Sequence, residues 1–238
     1  MKTQKQIMLP GLDKQLEFLR NNFSGKAGSI LVLGSMSEMP ALSLSGYFHV
    51  KVNLIVEDYE SFINSKLALN KAENIDLRIM NFETTDFNDN QFDFVYAQAS
   101  ISCVNRNKII KEIKRILKTG GYFCVGEIIS LTKEPPQFIQ DVFDNSNLLP
   151  LFIDNLDKYY SERKFSVIAK TDLSATLKEY YSLNLFKLES TKDNLTEKEK
   201  SYFKKLLSKI SHESNVYLKL GGDKYIGYHV LLLQKGEN

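Results

Sequence analysis

A carboxylate that closes an apolar run, at a set distance after a glycine turn, is the arrangement in this sequence best suited to chemistry. Glu57 stands 23 residues after Gly34, about the spacing at which an acid reaches ribose hydroxyls in dinucleotide-binding folds. A carboxylate suits two vicinal hydroxyls because it accepts two hydrogen bonds and donates none. The competing assignment is an exposed acid that caps the following helix together with Asp58. Other reactive side chains are sparse. The two cysteines, Cys103 and Cys124, lack the Cys-x-x-Cys spacing of a zinc site and are too few for a disulfide framework. They point to a reducing, cytoplasmic setting. The three histidines, His49, His212 and His229, are far apart, so no metal site is expected.

Apolar runs supply the framework for these groups. Ser29 to Leu33 reads Ser-Ile-Leu-Val-Leu and stops at Gly34, which predicts a buried strand and a turn. Similar runs follow at Lys51 to Glu57, Ile75 to Asn81, Phe92 to Ala97 and Tyr122 to Glu127. Between the last two, Ile109, Ile110, Ile113, Ile116 and Leu117 keep a period of about 3.6 and predict a helix over 107–117. Gly120 and Gly121 are expected to end it. Strands alternating with helices imply a doubly wound, parallel sheet, with ligands bound beyond the carboxyl ends of its strands. After Ser130 the pattern loosens. One or two helices are expected between Phe138 and Tyr160, a strand at Phe165 to Lys170, and helices at Ser174 to Tyr181 and Thr196 to Ile210. Tyr225 to Gln234 is a long strand, either an antiparallel insertion or an edge.

With 43% hydrophobic and 25% charged residues in 238, the chain has enough apolar content for one folded domain and is not a disordered segment. A net charge of +2 argues against a dedicated nucleic-acid binder, and no apolar run approaches the ~20 residues that span a bilayer.

In order, these pieces resemble the class I S-adenosylmethionine-dependent methyltransferases, especially the branch acting on small molecules such as quinone precursors. The sharpest likeness is the stretch Asn81-Phe-Glu-Thr-Thr-Asp-Phe-Asn-Asp-Asn-Gln-Phe-Asp93. It is similar to the family's run from the acid after the third strand to Phe-Asp at the fourth. Glu112 to Gly121 resembles the family's E-I-x-R-V-L-K-P-G-G, and Asp172-Leu-Ser, Tyr180-Tyr181 and Tyr225-Ile-Gly-Tyr resemble its late elements. The likeness covers roughly residues 12–235. It implies an α/β fold with a doubly wound, mostly parallel seven-stranded sheet, an antiparallel last strand at the edge and a helical cap over the carboxyl edge. A single Rossmann-like domain would span 1–238, with helical insertions at about 131–163 and 173–222 forming a substrate lid.

By the same resemblance, S-adenosylmethionine is the cofactor and S-adenosylhomocysteine the product. Gly34, Ser35 and Met36 would meet its methionyl end, Glu57 and Asp58 the ribose, Asn81 and Phe82 the adenine, and Ala97 and Gln98 would lie along it. The family's loop reads G-x-G-x-G, whereas here only Gly34 is present; Met36 must turn away, and Glu38 places a negative charge near the cofactor's carboxylate. No general base is identified. Cys103, Asp172 and Tyr180 are the candidates for contact with a small-molecule substrate. The competing function is a catalytically silent homologue acting as a partner or binding subunit. Neither a nucleic-acid nor a membrane partner is expected, and the oligomeric state is open.

Overall fold

In a computed structural model of the chain, residues 7–70, 72–191 and 210–236 are described. Five strands run parallel: β1 (Ile30–Leu33), β2 (Val52–Val56), β3 (Ile75–Ile79), β4 (Phe92–Gln98) and β5 (Leu117–Ser130). A two-residue strand, β6 (Leu151–Phe152), pairs with the end of β5. Two further strands complete the sheet, β7 (Phe165–Asp172) and β8 (Ile226–Lys235), with β8 running antiparallel to both β5 and β7, giving the order β3-β2-β1-β4-β5-β8-β7. The last strand is antiparallel as expected, but it lies one place in from the edge, and β7 is the outermost strand. Strand pattern alone does not say which neighbour a strand takes.

Strand alternation sorts the apolar residues onto two faces. Ile30 and Val32 join one cluster, Leu31 and Leu33 the other. The first face is covered by α1 (Lys14–Asn22), α2 (Glu38–Phe48), α5 (Gln137–Asn145) and α7 (Thr176–Thr191), which contribute Leu16, Leu44, Ile139 and Leu177. The second is covered by α4 (Arg106–Ile116) and α6 (Leu156–Ser161), through Ile109, Ile113, Ile116, Leu156 and Tyr160. The connection from β2 to β3 is α3 (Tyr59–Leu69). Residues 210–219 form a further helix before β8, and the expected helix at Thr196 to Ile210 lies almost wholly outside the described residues. Among the described residues no helix is long and apolar enough to cross a membrane.

The glycine pair serves a different purpose from the one expected. Helix α4 stops at Ile116 and β5 begins at once, so Gly120, at φ +74°, sits where the β4–β5 register shifts. A Cβ on Gly121 would fall 2.8 Å from Lys118 O and 3.1 Å from Asp93 O. The pair lets β5 bulge past the start of β4. Asp93 fastens that corner by accepting from the Gly28 and Ser29 N–H groups and from Lys118.

Candidate cofactor site

The carboxyl ends of β1, β2, β3 and β4 share one edge of the sheet, and the turn after β1 is its tightest element. Gly34, at φ +126°, donates its N–H to Ile55 O at 3.1 Å. A Cβ there would lie 2.7 Å from Ser100 Cβ, so glycine is required for both conformation and space. Met36 has φ +62° and an outward side chain 48% exposed. The backbone thus follows a path natural to glycine although the side chain is methionine. Ser37 precedes α2, and its buried Oγ has no hydrogen-bond partner among the described residues. The first turn of α2 leaves N–H groups open, as any helix start does, which suits an anion. Glu38 accepts a hydrogen bond from Ser65 Oγ on α3, so its charge is engaged sideways.

The two acids after β2 divide the two assignments between them. Asp58 caps α3: Oδ1 accepts the Ser61 N–H at 2.7 Å and Oδ2 the Ser61 hydroxyl at 2.6 Å. Ser35 Oγ donates to Ser61 Oγ, joining the β1 turn to this cap. Glu57 is exposed, and its Oε1 accepts the Phe82 N–H at 3.0 Å. Its other oxygen has no partner among the described residues. The Ser61 hydroxyl and N–H hold the Asp58 carboxyl below its ordinary range. A depressed native pKa stabilises above the unfolded pKa, and that stability is lost as pH falls through the folded one. Asp58→Ala is expected to cost about 1 kcal/mol at neutral pH. Asp58→Asn should keep most of the cap and flatten the acid limb of stability, measured as urea midpoints from neutral to acid pH.

The other candidate contacts are placed unevenly. Asn81 is exposed after β3, with Oδ1 accepting the Glu83 N–H at 2.7 Å. Phe82 is buried against Leu31, Leu33 and Ile55, so its ring is core and its N–H positions Glu57. Ala97 is fully buried, and its carbonyl accepts from Gln15 Nε2 at 3.0 Å. Gln98 points inward, where Nε2 donates to Pro10 O and Leu12 O at 2.8 Å each and Oε1 accepts from the Tyr96 hydroxyl. Both amide protons are used, so Gln98 holds the N-terminal segment and has no donor left for a ligand.

Cys103, Asp172 and Tyr180 are not brought together. Cys103 lies half-buried between β4 and α4, where burial pushes its thiol up. Asp172 ends β7, 3.5 Å from the imidazole of His229. Burial holds that imidazole below its ordinary range, and its Nε2 makes no hydrogen bond among the described residues. Tyr180 packs on the opposite face, edge-on to Tyr181. Sequence reading missed the polar knot beside Cys103. Glu127, fully buried, accepts from Ser102 Oγ at 2.5 Å and the Tyr160 hydroxyl at 2.6 Å and lies 3.1 Å from Arg106 Nε. The available signal was an acid inside an otherwise apolar strand, which demands a buried cation.

Residues 31–125 match the family model described as a methyltransferase domain. No curated protein matches the chain in sequence at a significant level. Among solved structures, the chain is similar to a protein from Galdieria sulphuraria described as a sarcosine dimethylglycine methyltransferase. The TM-score is 0.76 at 16% identity, over 94% of this chain and 84% of that one. It is similar also to the 4+2 cyclase SpnF, with TM-score 0.74, 16% identity, 95% of this chain and 81% of that one. A third is the phosphoethanolamine N-methyltransferase 2 of Haemonchus contortus, with TM-score 0.76, 14% identity and 94% of this chain but 53% of that one. At these identities the structures share the fold.

Proposed function

We infer that this chain, whose residues 31–125 match the family model described as a methyltransferase domain, is a class I enzyme that moves a methyl group from S-adenosylmethionine to a small-molecule acceptor. The observation that carries the reading is the Glu57 carboxylate oxygen that has no partner among the described residues. It projects from the end of β2 on the same edge as the Gly34 turn and the amino end of α2. The cofactor fits the residues present: the loop keeps a glycine path at Met36, Ser37 Oγ is buried without a partner among the described residues, and Glu38 is tied to Ser65.

On this reading Gly34, Ser35 and the start of α2 receive the methionyl end, Glu57 accepts from the ribose hydroxyls, and Asn81 lies toward the adenine. The bound cofactor supplies a methyl group on a sulfonium, ready for in-line displacement. The protein's part is to fix the line of attack and exclude water. On the same reading the described parts of the expected lid, residues 131–163, 173–191 and 210–222, cover the acceptor. The aromatic residues Tyr159 and Tyr180 lie on those segments. Two free cysteines, one buried and one half-buried, suit a reducing, cytoplasmic setting.

Calorimetric titration with S-adenosylmethionine and S-adenosylhomocysteine tests the reading. Micromolar binding is expected for the intact protein. Glu57→Ala should weaken it by about 1.5–3 kcal/mol, roughly tenfold to 150-fold. Equal binding by both proteins would show that the ribose lies elsewhere. No binding by folded protein at millimolar ligand would leave a silent homologue that serves as a binding subunit. A protein described as a cyclase shares the fold, so a binding measurement is followed by an assay for S-adenosylhomocysteine release.

A further inference from the structure

We propose that the free edge of the sheet, strand β3, pairs with the β3 strand of a second copy of this chain to form a two-fold dimer. Among the described residues, β3 pairs with β2 alone. Val52 N–H donates to Asn74 O and Met80 N–H to Val56 O, so the even-numbered residues of β3 turn their backbone groups toward β2. The backbone groups of Ile75, Leu77 and Ile79 therefore point outward, as an open template.

The strand's charges select one register. With Leu77 on the two-fold axis, each Leu77 exchanges both hydrogen bonds with its mate, and Ile75 faces Ile79 of the other copy. Asp76 then stands opposite Arg78 of the other copy, twice by symmetry, in the closely spaced non-bonded pair. The adjacent registers allowed by the backbone, centred on Asp76 or on Arg78, would set like charges face to face. Within one copy Arg78 already bonds Asp76, Nε to Oδ2 at 3.0 Å, and both side chains are partly exposed. Pairing would merge two such ion pairs into one alternating cluster.

The helix above the edge fits the same partner. Tyr59, Ile63 and Leu67 recur every four residues on α3, and Tyr59 and Leu67 are 71% and 73% exposed. They lie on the side of α3 opposite Ser65, which bonds Glu38 of α2. The stripe thus faces away from α2, and Ile79 is also exposed on β3, the strand that α3 leads into. An isologous contact places the same stripe on both sides of the axis.

Sedimentation equilibrium of the full chain at micromolar concentration should give twice 27.3 kDa. Arg78→Asp sets Asp76 against an acid of the other copy at both symmetric positions. It should raise the dimer Kd on the order of tenfold or more. The swap Asp76→Arg with Arg78→Asp restores the complementarity and should restore the dimer. Leu67→Glu, on the exposed stripe, should weaken it without touching the strand. Circular dichroism of each variant confirms that it is folded. A monomer at all concentrations would overturn the proposal, as would a dimer indifferent to Arg78→Asp and Leu67→Glu.

Discussion

Arg106→Met is expected to lower the unfolding free energy by about 3–5 kcal/mol, the scale for removing one partner of a buried ion pair. The guanidinium sits almost out of solvent, with Nη2 donating to Leu149 O at 2.6 Å and Nε 3.1 Å from Glu127 Oε1. That Nε contact is electrostatic, since its N–H is not aligned for a hydrogen bond. Without it, Glu127 keeps only the hydroxyls of Ser102 and Tyr160 as partners for a full buried charge. Methionine replaces the apolar stem, so packing contributes little to the loss. Adding Glu127→Gln should recover most of it, because the uncompensated charge is then gone. Chemical denaturation followed by circular dichroism measures both. A loss under about 1 kcal/mol, the value of an exposed pair, would mean that water reaches Glu127.

Gln98→Leu is expected to cost at least about 3 kcal/mol, although the substitution nearly conserves volume. The cost arises from what the amide leaves behind: the carbonyls of Pro10 and Leu12 without a donor and the Tyr96 hydroxyl without an acceptor. Each orphaned buried group costs about 1–3 kcal/mol. The loss should be local in its first stage, since Gln98 holds residues 10–12 against the sheet. Earlier proteolytic cleavage near the amino terminus than in the wild type, at protein concentrations where both are folded, is the signature. Intact resistance would place the anchoring of that segment in Gln15, whose amide reaches Ala97 O and accepts from Tyr228.

The parallel half of the sheet was legible because each of its strands is a short apolar run closed by a turn residue, and such runs have few other uses. The place of Glu57 at the end of β2 was legible for a related reason: spacing along the chain maps onto distance when strand, helix and strand follow each other without excursions. Asp58 separated from it only in three dimensions, where one acid capped α3 and the other did not. The position of β8 was not legible, because an apolar strand pairs equally well at an edge or between two neighbours. Gln98 looked like a ligand contact because it follows β4 at the productive edge. Its partners are 86 and 88 residues away, and no local pattern encodes them. Met36 gave no sign of its positive φ, since the surrounding turn imposes that conformation on a residue that does not prefer it.

The inserted position of β8 also sets an order of events during synthesis. Among the described residues, strand β7 has no sheet neighbour except β8, and the outer edge of β5 is covered mainly by the same strand. As the chain leaves the ribosome, β1 through β5 can associate in sequence, each with a neighbour already made. Residues 165–172 must then wait, unpaired, until residues 226–235 emerge and slide in between. Completion of this side of the sheet is therefore deferred until residues 226–235 emerge, and a nascent chain stalled before residue 226 presents two open strand edges to the chaperones around it.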